Sequence, residues 1–112
     1  MDSKRASITQ RYEKWFERSD TQRYVLRLFI AGMTLRSTEA VARIKDLCDA
    51  HLGGRYELDI IDIYQQPELA KEYQVLAVPT LIKISPAPAR CLVGDFSDVD
   101  KVLRSLDMHI RR

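Results

Sequence analysis

Cysteine is scarce in this 112-residue chain, with Cys48 and Cys91 the only two. Thiols that far apart match neither a metal-ligand spacing nor a redox couplet, and two are too few for a disulfide scaffold, so a reducing, cytoplasmic setting is expected. An excess of one charge is missing as well. Eighteen Lys and Arg stand against 16 Asp and Glu, mixed along the chain, and the resulting +2 gives no field that would gather nucleic acid. No apolar run approaches the roughly 20 residues of a bilayer span, and the N-terminus is charged where a signal peptide would be apolar. Low-complexity segments and internal repeats are absent. With 46% hydrophobic and 30% charged residues, the chain has enough apolar material for one domain with a modest core and too little for two.

Reactive constellations are also lacking. Gly32 and Gly53-Gly54 match neither nucleotide-binding glycine fingerprint. His51 and His109 each stand outside any spaced ligand cluster, so no metal site is expected. Asp59 and Asp62 are an odd number of positions apart on one strand, which turns them to opposite faces and rules out an acid/base dyad. Cys48 lies on the apolar stripe of a helix and reads as a small buried hydrophobe. Cys91 follows Arg90, a neighbour that favours the thiolate, but no second thiol or general base is placed beside it. No catalytic, cofactor-binding or metal residue is assigned, and the chain is expected not to be an enzyme.

What is present is a regular alternation of elements. Residues 1–22 form an amphipathic extension, with Ile8, Tyr12, Trp15 and Phe16 at helical spacing. Such an edge fits packing on its own domain or on a neighbouring subunit, and equally a membrane-surface or partner helix. The domain proper covers residues 23–112. A strand over Tyr24 to Ala31 places Tyr24, Leu26, Leu28 and Ile30 on one face and Val25, Arg27 and Phe29 on the other. Thr34 is placed to cap a helix whose stripe is Val41, Ile44, Leu47, Cys48 and Leu52, and Gly53-Gly54 stops it. Tyr56 to Ile63 returns as a second strand, parallel to the first through a right-handed crossover.

The second half is organised by its prolines. Pro67 opens a helix at the position where a missing N–H costs nothing. Pro79, ahead of the strand Thr80 to Ile84, marks either a strand start or a cis turn, and the sequence permits both isomers. The turn at Pro86-Ala87-Pro88 closes a hairpin. Ser97 is placed to cap a last helix, paired with Asp100 in a capping-box spacing, with Val99, Val102, Leu103 and Leu106 as the buried stripe. The order is βαβαββα, an α/β thioredoxin-like arrangement with helices on both faces of the sheet. Thioredoxin-like enzymes hold their nucleophilic thiolate between the first strand and first helix, where the helix N-terminus lowers its pKa. Here that loop, Gly32-Met33-Thr34-Leu35-Arg36-Ser37, has no cysteine.

The same residues resemble the KaiB family. Over about residues 23–108 the matching points are Tyr24-Val25-Leu26 leading to Ala31-Gly32, Ile61-Asp62-Ile63, Pro67 with Leu69-Ala70, and Pro79-Thr80-Leu81 with Lys83. Gly94-Asp95-Phe96-Ser97-Asp98, Lys101-Val102-Leu103 and Leu106-Asp107 complete them. Departures are Pro86-Ala87-Pro88 for an unbroken proline run, Gln65-Gln66 for Lys-Asn, and residues 1–22, which have no family counterpart. The resemblance implies a non-catalytic protein that binds a KaiC-family ATPase ring in a circadian clock or a clock-derived signalling or stress system. It also implies self-association as dimers or tetramers and KaiA-like or histidine-kinase partners.

A second, metamorphic fold ordered βαββααβ is part of the same implication. Two packings a few kcal/mol apart are physically allowed. On this reading Lys71, Glu72 and Lys83 are rim charges of the partner surface and Tyr73 is its anchor, while Pro79, Gly94 and Asp95 belong to the fold switch. The thioredoxin-like order asks Gly94 only to end a strand, so the penalty of a Gly94→Ala change is expected in the other fold. Asp95 is expected to meet a cation only there. The alternatives are an oxidoreductase working through Cys91 alone and a kinase sensor or adaptor domain.

Overall fold

Burial on alternate positions at its start and on every position from Leu28 to Ile30 makes β1 (Tyr24–Ile30) an interior strand of the sheet in the computed structural model, which describes residues 23–108. The amphipathic extension, with Ile8, Tyr12, Trp15 and Phe16, and His109 lie outside the described residues. α1 (Leu35–Leu52) starts where the Thr34 hydroxyl accepts the Ser37 N–H at 3.1 Å, and it ends at Gly53, whose φ of +59° suits a residue without a Cβ. β2 (Tyr56–Asp62) pairs parallel to β1 from Tyr24–Tyr56 through Ile30–Asp62. The chain then passes through α2 (Pro67–Glu72), β3 (Thr80–Ser85), β4 (Arg90–Val93) and α3 (Val99–Ser105). The sheet order is β2-β1-β3-β4, with β3 and β4 antiparallel to their neighbours.

One face of this sheet carries the main core. Tyr24, Leu26, Leu28, Ile30 and Leu81 pack beneath Ala40, Ile44, Leu47, Cys48 and Leu52 of α1 and beneath Val102 and Leu106 at the other end of the chain. Burying such side chains contributes roughly 1.5–3 kcal/mol each before entropy is counted. The two short helices end alike. Gln74 and Asp107 take positive φ of 55° and 52°, and the amides that follow reach back: Val75 N–H to the Ala70 carbonyl at 2.8 Å, Met108 N–H to the Leu103 carbonyl at 2.9 Å. These closures satisfy carbonyls that would otherwise be orphaned at a helix end.

Four expectations are corrected. The cap of α3 is Asp98, whose carboxylate accepts the Lys101 N–H at 3.1 Å, because Asp95 has taken Ser97: Asp95 Oδ1 accepts both the Ser97 N–H at 3.0 Å and its hydroxyl at 2.8 Å. Val99 is exposed rather than part of the buried stripe. Lys83 is no rim charge. It shares a face with Leu81, two residues before it, and is fully buried with its Nζ donating to the Asp107 carbonyl at 3.0 Å. Thr80 is buried as well.

The fourth correction concerns the β4–α3 junction. Gly94 adopts φ +155° in this thioredoxin-like fold, a region L side chains rarely enter, so it does more than end a strand. Asp95 is already engaged here: its carboxyl is held below the usual range by the two Ser97 hydrogen bonds, with the nearby Arg43 guanidinium adding a smaller pull. Arg43 also donates to the Asp95 carbonyl at 2.9 Å.

Candidate functional site

In α/β sheets ligands gather beyond the carboxyl ends of the parallel strands, which here are the ends of β1 and β2. One carboxylate organises that end. Asp62, the last residue of β2, accepts the Gly32 N–H at 3.1 Å and the Tyr64 N–H at 2.9 Å, tying the β1–α1 loop to the β2–α2 loop. Gly32 sits at φ +68°, and the Tyr64 ring lies across it, 3.6 Å from where a Cβ would be. The third segment arriving at this end enters β3 through the Val78-Pro79 bond, which is cis, and the Thr80 hydroxyl donates back to the Ala77 carbonyl.

These three segments carry large apolar side chains into water. Leu76 is 98% exposed, Met33 84%, Leu35 76% and Tyr64 74%. The Thr34 hydroxyl is occupied, since its Oγ1 both caps α1 and donates to Ser37 Oγ at 3.0 Å. Between β1 and α1 there is therefore a hydrophobic surface where an oxidoreductase would need a thiol. Large apolar side chains exposed at one end of a fold mark a candidate contact surface.

On the opposite sheet face from the core, Tyr73 is the C-terminal cap of α2 and packs on Phe29 with ring centroids 5.8 Å apart. Arg27 lies 5.0 Å from the Tyr73 ring centroid, donates to its hydroxyl, and has Asp59 3.8 Å from its Nε. That Nε is buried without a hydrogen bond. Lys71 and Glu72 precede Tyr73 and are exposed. The structure thus brings Lys71, Glu72 and Tyr73 together and leaves Lys83 on the other side of the sheet.

The remaining candidates lie apart from one another. Asp59 and Asp62 face opposite ways, one in an ion pair and one in loop hydrogen bonds. Cys48 is buried, and burial, helped by the charge of Asp49, pushes its thiol up to about 12. Cys91 is exposed on β4. Among the described residues no three His, Cys, Asp or Glu side chains converge as a metal site, and no helix is long and apolar enough to cross a membrane. The sequence pattern did not single out Met33, Leu35 or Leu76. Its one available signal was two large apolar residues flanking the cap Thr34, in a loop where polar residues are the norm.

Comparison with known proteins gives a consistent result. The KaiB domain model matches residues 27–108. The circadian clock protein KaiB3 of Synechocystis sp. is 44% identical over 89 residues, covering 80% of this chain and 87% of that protein. The circadian clock oscillator protein KaiB of Picosynechococcus sp. is 45% identical over 85 residues, covering 76% and 82%. Among solved structures, the N-terminal domain of Synechococcus elongatus SasA superposes with a TM-score of 0.64 at 25% identity, over 79% of this chain and 87% of that one. The thioredoxin Deadhead of Drosophila melanogaster, at 17% identity and a TM-score of 0.60 over 87% and 89%, shares the fold.

Proposed function

Because the chain belongs to the KaiB family, we propose that it is a regulatory protein that does no chemistry of its own and docks on a KaiC-family ATPase ring, changing what else that ring can hold. The observation that carries this reading is the sheet end described above: a family domain whose β1–α1 loop offers Met33 and Leu35 to water where a redox fold would place its thiols. Met33, Leu35, Tyr64 and Leu76 form the apolar centre of the contact and Lys71 and Glu72 its charged rim. Apolar anchors of this kind govern dissociation, and rim charges govern association and its salt dependence. Tyr73 positions α2 from below. Likeness to the SasA domain supports competition between two similarly folded domains for one partner surface.

Self-association as dimers or tetramers, contacts with KaiA-like or histidine-kinase partners, and a second fold of order βαββααβ belong to the same reading, with Pro79, Gly94 and Asp95 where the two folds part. The test is binding of the full chain to a purified KaiC-family ring, followed by sedimentation and surface kinetics. Leu76→Asp with Met33→Asp should weaken the complex about tenfold or more, chiefly by faster dissociation, and Lys71→Glu should slow association at low salt. A disulfide-reduction assay run beside it should show no activity. Reductase turnover that Cys91→Ser abolishes, or ring binding indifferent to both sets of substitutions, would overturn the proposal.

A further inference from the structure

The described helices cover the two sheet faces unequally. While α1 and α3 close one face, the other presents Val25, Arg27 and Phe29 of β1, Thr80 and Ile82 of β3, and Cys91 and Val93 of β4, with the register aligning Arg27, Ile82 and Cys91 in one row and Phe29, Thr80 and Val93 in the next. Ile84 joins them as the extra residue where the β1–β3 register shifts beside Val25. α2 has only 6 residues, and Tyr73 at its end covers only Phe29 and Arg27 on this face. Val25, Ile82 and Ile84 remain half-buried, Cys91 is exposed, and Val93 is 49% exposed.

The chain ahead of β1 has the length and pattern to cover that row. Residues 1–22 contain Ile8, Tyr12, Trp15 and Phe16, spaced so that a helix would bring all four to one edge. We propose that residues 5–18 form a helix lying on the open sheet face across Val25, Ile82, Ile84, Cys91 and Val93, antiparallel to β1. A helix of that length is about 21 Å long, close to the roughly 23 Å of a seven-residue strand. The connection fits too. Residues 19–22 can span up to about 13 Å, enough for the roughly 10 Å step between packed layers. Since β1 begins at its foot beside Val25 and Ile84, the returning helix ends there, which sets Trp15 and Phe16 over those two residues and Ile8 towards Thr80 and Val93.

Two native reporters test this in the full chain. Trp15 is the only tryptophan, and Cys91 is the one free thiol that is exposed among the described residues, Cys48 being buried. Docking predicts a blue-shifted Trp15 emission in the unaltered chain. It also predicts that Cys91 reacts with a disulfide reagent about tenfold or more slowly than in a full-length Tyr12→Ser, Phe16→Ser variant whose far-ultraviolet circular dichroism is retained. Both signals should survive dilution. Trp15 emission like that of free indole, or equal Cys91 reactivity in both chains, overturns the proposal. Protection lost on dilution assigns the face to a second copy, and a blue shift seen only with anionic vesicles assigns the extension to a membrane surface; either result also overturns it.

Discussion

Replacing Gly94 by alanine isolates a backbone cost from every contact cost. At φ +155°, with no atom within 4 Å of the position an added Cβ would take, the methyl group meets nothing. What changes is the torsional energy of a residue held in a region that L side chains rarely enter, worth about 1–3 kcal/mol, and with no clash the lower half of that range applies. For a domain of this size a loss of about 1 kcal/mol lowers Tm by roughly 4–8 °C. Gly54 supplies the control. It too has open space around it but no positive φ of that kind, so Gly54→Ala should leave stability unchanged or raise it by up to about 1 kcal/mol. Thermal and urea unfolding of both variants, followed by circular dichroism, makes the comparison, with equal urea slopes expected. Equal stability of Gly94→Ala and Gly54→Ala would refute the reasoning. The sign also matters for the proposed two-fold behaviour: the penalty lands on the thioredoxin-like fold, opposite to what strand patterning alone suggests, and about 1.4 kcal/mol would shift a population ratio tenfold towards the competing assembly.

Lys83 carries a pKa lowered from 10.5, first by burial, with repulsion from Arg90 adding to it and attraction to Asp107 opposing it. The unfolded chain therefore binds more protons between the lowered value and 10.5, so stability should rise as pH climbs through that window, and Lys83→Met should remove the rise in urea midpoints. Asp98→Ala should cost about 1 kcal/mol as the loss of a helix cap, measured by urea unfolding, and more than a mid-helix change such as Lys101→Ala. Asp95 has its carboxyl lowered by Ser97, so its contribution is present above the ordinary carboxylate pKa of 3.8 and fades as pH falls through the lowered value. Asp95→Asn should flatten the acid limb of a stability–pH curve there, and an unchanged limb would count against it.

The first half of the fold was legible because its signals are local. Alternation in Tyr24–Ile30, the cap at Thr34, the stop at Gly53 and the return at Tyr56 each act within a few residues, and the structure follows them closely. What sequence could not show depends on contacts between distant residues. Lys83 is buried because the carbonyl of Asp107, 24 residues later, comes to lie over it. Ser97 and Asp98 are both good capping residues, and only the prior capture of Ser97 by Asp95 decides between them. Lys71 and Glu72, which the family resemblance pointed to as rim charges, are exposed on the short helix opened by Pro67. Met33, Leu35 and Leu76 were not singled out, because apolar residues are read as interior until a structure shows otherwise.

The β1–β3 pairing joins the two halves of the described fold. On one side stand β1, α1 and β2, whose parallel ladder and crossover helix close on themselves; on the other stand β3, β4 and α3, held to the first unit by a single antiparallel pairing and the core beneath it. Lys83 sits on that junction opposite Leu26, its amine inside the protein and satisfied by a carbonyl. Parting the two units would expose apolar side chains at a cost, yet it would return this amine to water and recover its hydration. The junction therefore contains its own counterweight.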